Sequence, residues 1–224
     1  MLGILFTIVL CQPLSASIVS TYDSDLDGWI LPNPTDASFS WESPGGNPGG
    51  FARFIDGLQN NGGLIRAPGK FLGDWSSFDS ISFEHRQIAA GIGNSYVPYE
   101  VFLSGAGGSA RFTESHPGTA GSWISVTAPL TEPSWTIESG TWAGLISNVT
   151  QFEIRIEVLD NNNTLGDTAG IDNVVLRSAA VPEPASLAIW CGIGMAGMIA
   201  GWRTRASRCL RGASRKVAQS PVLI

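Results

Sequence analysis

The chain is poor in the residues that covalent cross-linking and catalysis use. It has 224 residues, with three cysteines and two histidines. The cysteines Cys11, Cys191 and Cys209 lie near the two ends, so the central part of the chain contains none. That part therefore folds without disulfides, unlike many small secreted domains. The two histidines, His85 and His116, do not have a spacing typical of a metal site.

The sequence also lacks the common catalytic signatures. No serine stands in a Gly-x-Ser-x-Gly context, and no phosphate-binding Gly-Lys-Ser/Thr loop occurs. Two of the many carboxylates could form a glycosidase pair, but nothing in the pattern selects them. We therefore predict no catalytic residues and no enzymatic activity, and keep a glycosidase as the least favoured alternative.

Positive charge is scarce outside residues 203–224. The whole chain has a net charge of −6, from 13 cations and 19 acids. Between residues 18 and 180, seven cations stand against eighteen acids, a net charge of −11. An acidic body repels nucleic acids, which argues against nucleic-acid binding as the function.

The C-terminal end combines prolines, an apolar span and a basic tail. Residues 181–184 are Val-Pro-Glu-Pro, and residues 185–202 carry no charge. As a helix, this span would be about 27 Å long, close to the thickness of the hydrocarbon core of a bilayer. Basic residues follow in 203–224, beginning with Arg203, Arg205 and Arg208. They predict a transmembrane helix with a cytoplasmic C-terminus and an exported body.

The N-terminal end has the order of a secretory signal. Residues 1–10 are nearly all apolar, and Pro13 precedes small residues at 15–17. We therefore predict a signal peptide over residues 1–17 and an exported domain over residues 18–180, although the first ten residues contain no Lys or Arg.

The body has the pattern of an all-β domain. Residues 151–158 alternate, with Phe152 and Ile154 on one face and Glu153 and Arg155 on the other. Nine further short runs of this kind are separated by Gly, Pro and Asn clusters. About nine or ten strands at this spacing predict a jelly-roll-type sandwich, with one helical turn near residues 142–146.

The C-terminal end resembles the PEP-CTERM sorting signal of bacteria that export proteins with a polysaccharide matrix. The resemblance lies in Pro182, Glu183 and Pro184, which precede an apolar span and a basic tail. The resemblance implies that an exosortase, a membrane-embedded cysteine protease-transpeptidase, recognises these three residues and removes the tail. It also implies an inner-membrane precursor, and a mature form at the cell surface or in the extracellular matrix of a Gram-negative-type bacterium. A plain membrane anchor is the alternative.

The body resembles a laminin B (domain IV) module. Residues 23–29, 142–156 and 170–176 carry this resemblance. It implies a non-catalytic jelly-roll module used in extracellular matrix and adhesion, with surface proteins as partners. Related jelly rolls, including carbohydrate-binding modules, share the final Asp-Asn-Val strand, so binding of exopolysaccharide is the alternative function.

An alternating run of aspartates near the N-terminus matches the opening of a calcium loop. Asp23, Asp25 and Asp27 precede a glycine, but the twelfth position is Pro34, where an EF-hand has a glutamate. One prediction is a single structural calcium ion completed by Asp172, as in related jelly rolls. The alternative is an Asp-rich turn without metal, and no cofactor is required.

The body is rich in tryptophan, the side chain that sugar-binding sandwiches use to stack on pyranose rings. Most tryptophan rings are expected to lie in the core. Trp75 and Trp135 stand in loop-like contexts among Gly, Pro and Ser, so these two are the candidates for exposed rings that stack on a ligand. The body contains six tryptophans: Trp29, Trp41, Trp75, Trp123, Trp135 and Trp142.

Overall fold

The computed structural model describes residues 16–34, 36–57, 63–89, 95–118, 121–159 and 167–179. Residues 1–180 and 181–224 are two separate units, and all described residues belong to the first. The predicted sorting motif, membrane span and basic tail lie outside the described residues, as does the predicted signal peptide except for its last two residues. Within the part that the structure describes, no helix is long and apolar enough to cross a membrane.

The body is an all-β sandwich of two antiparallel sheets, of the jelly-roll type that the sequence predicts. The first sheet has six strands: β2 (Ser38–Gly46), β3 (Gly49–Ile55), β11 (Thr168–Ser178), β5 (Phe78–Ala89) and β8 (Ile124–Pro129) in this order, with β1 (Ile18–Ser20) also paired to β11. Ser178 N donates to Ser17 Oγ at 3.1 Å. The body therefore begins and ends at one pole, the terminal pole, and we call the opposite end the distal pole.

The second sheet has five strands and packs against the first. Its order is β4 (Leu64–Arg66), β10 (Val149–Arg155), β6 (Tyr99–Gly105), β7 (Gly108–Glu114) and β9 (Thr136–Gly140). The predicted helical turn is confirmed as α1 (Trp142–Ile146), just before β10. Thr141 caps this turn, because its Oγ1 accepts a hydrogen bond from Gly144 N at 3.2 Å.

The core between the sheets is centred on Phe152, one of the apolar residues of the predicted alternation. Its ring centroid lies 5.5 Å from that of Trp29, 5.8 Å from Phe71 and 5.4 Å from Trp75. Burying one such side chain contributes about 1.5–3 kcal/mol relative to exposure. Ile154, two residues further along the strand, is also fully buried. The prediction that one face of this strand is buried is therefore confirmed.

Two features differ from the sequence-based prediction. No strand was predicted where β9 lies. Among the described strands, this short edge strand pairs only with β7. It was missed because its polar residues give no clear alternation. The segment 45–50 is one of the glycine and proline clusters expected to separate strands as loops, but it instead extends β2 and β3 until Gly46 pairs with Gly49. A Cβ at Gly46 would lie 1.9 Å from Gly50 O, so only glycine allows this hairpin.

Candidate functional site

The outer face of the five-stranded sheet carries at least one charged side chain on every strand, and both signs of charge are present. These side chains point away from the core because successive residues of a strand lie on opposite faces. We call this surface the charged face, and its ionised residues are Arg66, Glu153, Arg155, Glu100, Arg111 and Glu138.

Ion pairs connect neighbouring strands across this face. On one side, Arg66 Nη2 of β4 lies 2.8 Å from Glu153 Oε1 of β10. Glu100 of β6 has two partners, since its Oε2 lies 2.8 Å from Arg155 Nη1 and its Oε1 lies 3.2 Å from Arg111 Nη1. Arg111 Nε also lies 3.6 Å from Glu138 Oε1 on the edge strand. The pairs thus fix donors and acceptors across all five strands.

The two central glutamates are largely removed from solvent. The side chain of Glu100 is 5% exposed and that of Glu153 is 10% exposed, whereas Arg66 and Arg111 are about 40% exposed. An ionised carboxylate with so little contact to water needs a compensating partner, which the arginines provide here. The sequence-based assignment of Glu153 to a polar face is correct, but this face is more closely packed than an open surface.

An apolar ring and a row of small polar side chains complete the charged face. Phe102 is half-buried and lies in register between Glu153 and Arg111. A row formed by Gln151, Ser104, Ser109 and Ser139 crosses four strands. Five strands at about 4.8 Å spacing make a face about 19 Å wide.

The aspartates of the predicted calcium loop lie around one surface hollow of about 330 Å³. Asp23 Oδ2 accepts from Thr21 Oγ1 at 2.7 Å, and Asp25 Oδ1 accepts from the backbone N of Asp27 at 2.6 Å. The Asp27 carboxylate forms an ion pair with Lys70. The three carboxylates therefore share the hollow but have different partners.

Asp172, the fourth predicted calcium ligand, holds the β2–β3 hairpin. Its Oδ2 accepts from Asn47 N at 2.6 Å and its Oδ1 from Asn173 N at 2.7 Å. Burial raises the pKa of Asp172 to about 6, these hydrogen bonds oppose the shift, and the charges of Glu84 and Asp23 add to it. Among the residues that the structure describes, no three His, Cys, Asp or Glu are arranged to hold a metal ion. Calcium binding by these aspartates stays a prediction.

The prediction that Trp75 and Trp135 are exposed is wrong. Trp75 is 1% exposed and Trp135 is 6% exposed. The Nε1 of Trp75 donates to Phe71 O at 2.8 Å, and the Nε1 of Trp135 donates to Pro129 O at 2.7 Å. Each ring fills the core while its polar atom bonds to the backbone, so neither offers a free face to a ligand.

Other aromatic side chains are accessible. Trp41 is 36% exposed and Tyr96 is 42% exposed. The Nε1 of Trp41 donates to Tyr22 O at 2.7 Å, and the ring of Tyr96 stacks on His116. No pattern in the sequence marks Tyr96, because it follows a segment without regular alternation.

No family model matches the chain, and no curated protein matches it. Among solved structures, CtCBM11 is similar at 17% identity, with a TM-score of 0.48, over 74% of this chain and 97% of that one. The CBM22-1 xylan-binding domain of Paenibacillus barcinonensis Xyn10C is similar at 8% identity, with a TM-score of 0.45, over 73% and 95%.

The L4b domain of human laminin alpha-2 is similar at 9% identity, with a TM-score of 0.44, over 68% of this chain and 97% of that domain. All three structures share less than a quarter of their residues with this chain and have TM-scores below 0.5. The similarity is therefore one of general architecture, and it identifies neither a family nor a ligand.

Proposed function

We propose that the chain is an exported, non-catalytic module that binds polysaccharide on the charged face. The observation that carries this proposal is the set of ion pairs across all five strands, which fixes hydrogen-bond donors and acceptors beside the half-buried ring of Phe102. A polyhydroxylated ligand needs such fixed polar partners for orientation, together with an apolar surface.

The chemistry of the face favours a sugar polymer over a protein partner. The core of a stable protein interface is apolar and depleted of charge, whereas the centre of this face has buried Glu100 and Glu153 beside arginines. The net charge of −11 between residues 18 and 180 disfavours acidic polymers. We therefore propose a neutral exopolysaccharide as the ligand.

The same glutamates argue for binding without hydrolysis. A glycosidase needs one carboxylic acid that gives its proton to the leaving group and a second carboxylate at a defined separation. Glu100 and Glu153 are instead held by arginines as hydrogen-bond and ion-pair acceptors. They are therefore positioned to bind hydroxyl groups rather than to transfer protons.

Affinity electrophoresis tests this proposal. The full-length chain, in mild detergent, is run in gels that contain the exopolysaccharide of the organism that produces the protein. We expect the wild type to be retarded, with a dissociation constant on the order of micromolar to millimolar. Phe102→Ala should reduce the retardation, whereas Thr127→Ala, an exposed residue on the outer face of the other sheet, should not. Equal retardation of the wild type and Phe102→Ala would exclude the charged face as the binding site.

We also propose that an exosortase delivers this module through Pro182, Glu183 and Pro184. The support is the order of motif, uncharged span and basic tail in the sequence. Two prolines keep the motif extended and remove backbone donors, which leaves the Glu183 side chain as its main polar feature.

A further inference from the structure

Four aromatic rings form a cluster at the distal pole, and Gln87 lies on the same face of β5 as one of them. The ring centroid of His116 lies 4.9 Å from Tyr96, 4.7 Å from Tyr99 and 5.7 Å from His85. Gln87 is two residues beyond His85 on β5, and its side chain is therefore on the same, inner face of the sheet. We call these five residues the distal cluster.

The distal cluster contains buried polar atoms without partners. Within the described residues, His85 Nδ1, Tyr99 OH, His116 Nε2 and both side-chain polar atoms of Gln87 have no hydrogen-bond partner. His85, Gln87 and Tyr99 are at most 2% exposed. An unsatisfied buried polar group is costly, so several at one place indicate an arrangement that is completed by a bound molecule.

The existing hydrogen bonds define which atoms of the histidines carry protons. His85 Nε2 lies 3.2 Å from Ile156 O and must donate to it, which leaves Nδ1 of the neutral ring as an acceptor. His116 Nδ1 accepts from Gly118 N at 3.0 Å, so the proton of this ring is on Nε2, a donor. Burial lowers the pKa of His85 to about 4 and also lowers that of His116, so both rings are neutral near pH 7.

This protonation pattern restricts the class of ligand. A metal ion needs a lone pair, and the free nitrogen of His116 carries a proton instead. An anion needs a positive charge, but both histidines are neutral, and the charge of Glu114 acts on Tyr99. Donors and acceptors without charge suit neutral hydroxyl groups.

The geometry points to a site for a terminal sugar unit of a neutral polysaccharide. We propose that the sugar packs against the exposed ring of Tyr96, while its hydroxyl groups reach His85, His116, Gln87 and Tyr99. Because these polar atoms are buried, we infer that only the end of a sugar chain, and not an internal unit extended in both directions, would reach them. This site is separate from the charged face and does not depend on it.

The imidazole NMR signals provide a direct readout, because the chain has only two histidines. We expect neutral linear oligosaccharides to shift both imidazole signals of the full-length chain, and cyclic glucans, which have no chain end, to leave them unchanged. Tyr96→Ala should weaken binding by about tenfold or more. Phe102→Ala, on the charged face, should leave the imidazole shifts intact, which separates this site from the proposed function.

A second variant distinguishes a binding role from a structural one. Gln87→Leu removes an amide without partners among the described residues, so it should raise the melting temperature and abolish the imidazole shifts. A lower melting temperature would show that the amide supports the fold, and would overturn the proposal. Unchanged signals with every linear oligosaccharide, or shifts of both signals on addition of zinc or nickel ions alone, would also overturn it.

Discussion

At the scale of single residues, buried titratable groups make the stability of the body depend on pH. Burial lowers the pKa of His85 to about 4, whereas an unfolded histidine has a pKa of about 6.5. The native state therefore binds fewer protons between these values, and the stabilisation present above about pH 6.5 is lost as the pH falls to about 4. Asp167 and Asp172 act in the opposite sense, because burial raises the pKa of each to about 6.

We expect His85→Gln to remove the histidine part of this pH dependence. When the pH falls from about 7.5 to about 4.5, the free energy of unfolding should decrease by about 2–3 kcal/mol more in the wild type than in the variant. Urea unfolding at both pH values measures the difference, in which the contributions of Asp167 and Asp172 cancel. The same pH dependence in both proteins would show that the pKa of His85 is the same in the native and the unfolded state.

Single residues also show where sequence reasoning is limited. Trp75 and Trp135 have the glycine, proline and serine neighbours of loop residues, yet both rings lie in the core. Local composition predicts the backbone near a residue, but the direction of a large side chain depends on packing with distant partners such as Phe112 and Phe152. The stacking of Tyr96 on His116 also depends on packing between segments that are separate in sequence, which local composition does not predict.

At the scale of strands, the ion pairs of the charged face connect elements that are far apart in sequence. Removing Arg155 takes one of two cations from the buried Glu100. We expect Arg155→Met to lower the free energy of unfolding by about 1–3 kcal/mol, because an uncompensated buried carboxylate is costly. Arg177→Met, at an exposed position of β11, is the matched control and should change it by less than about 0.5 kcal/mol in urea unfolding. Equal effects would mean that Arg111 alone compensates Glu100.

The sequence predicts most strands but not the surface that they build. Alternation and turn residues locate every strand except β9, which is short, polar and at a sheet edge. The pairing of Glu100 with Arg155 depends on the register between β6 and β10. No local pattern contains that register, so neither the charged face nor the distal cluster could be predicted from the sequence.

The predicted calcium binding would be a property of the loop that contains Asp23, Asp25 and Asp27. If calcium binds to the native state alone, at a hundred times the dissociation constant it should raise the free energy of unfolding by about 2.7 kcal/mol. The melting temperature should then rise by several degrees, a chelator should reverse the shift, and Asp25→Asn should lose much of it. Asp79→Asn, an exposed residue outside the hollow, serves as control. The absence of a shift at millimolar calcium would leave the Asp-rich turn without a metal.

At the scale of the whole molecule, the predicted export segments adjoin the two ends of the described body. The body begins and ends at the terminal pole, while the distal cluster is at the other end of the sandwich. The segments before residue 16 and after residue 179 are therefore attached at neighbouring points.

Sorting by an exosortase predicts that the mature protein lacks its C-terminal tail. Intact-mass analysis of protein extracted from the cell surface should show a C-terminus near Glu183. Glu183→Ala should block this processing and leave the precursor in the inner membrane, because Glu183 is the only charged residue of the motif. Glu138→Ala, a substitution on the charged face, is the control and should mature normally. Recovery of a surface form that ends at Ile224 would indicate a plain membrane anchor, and normal maturation of Glu183→Ala would exclude recognition through this side chain.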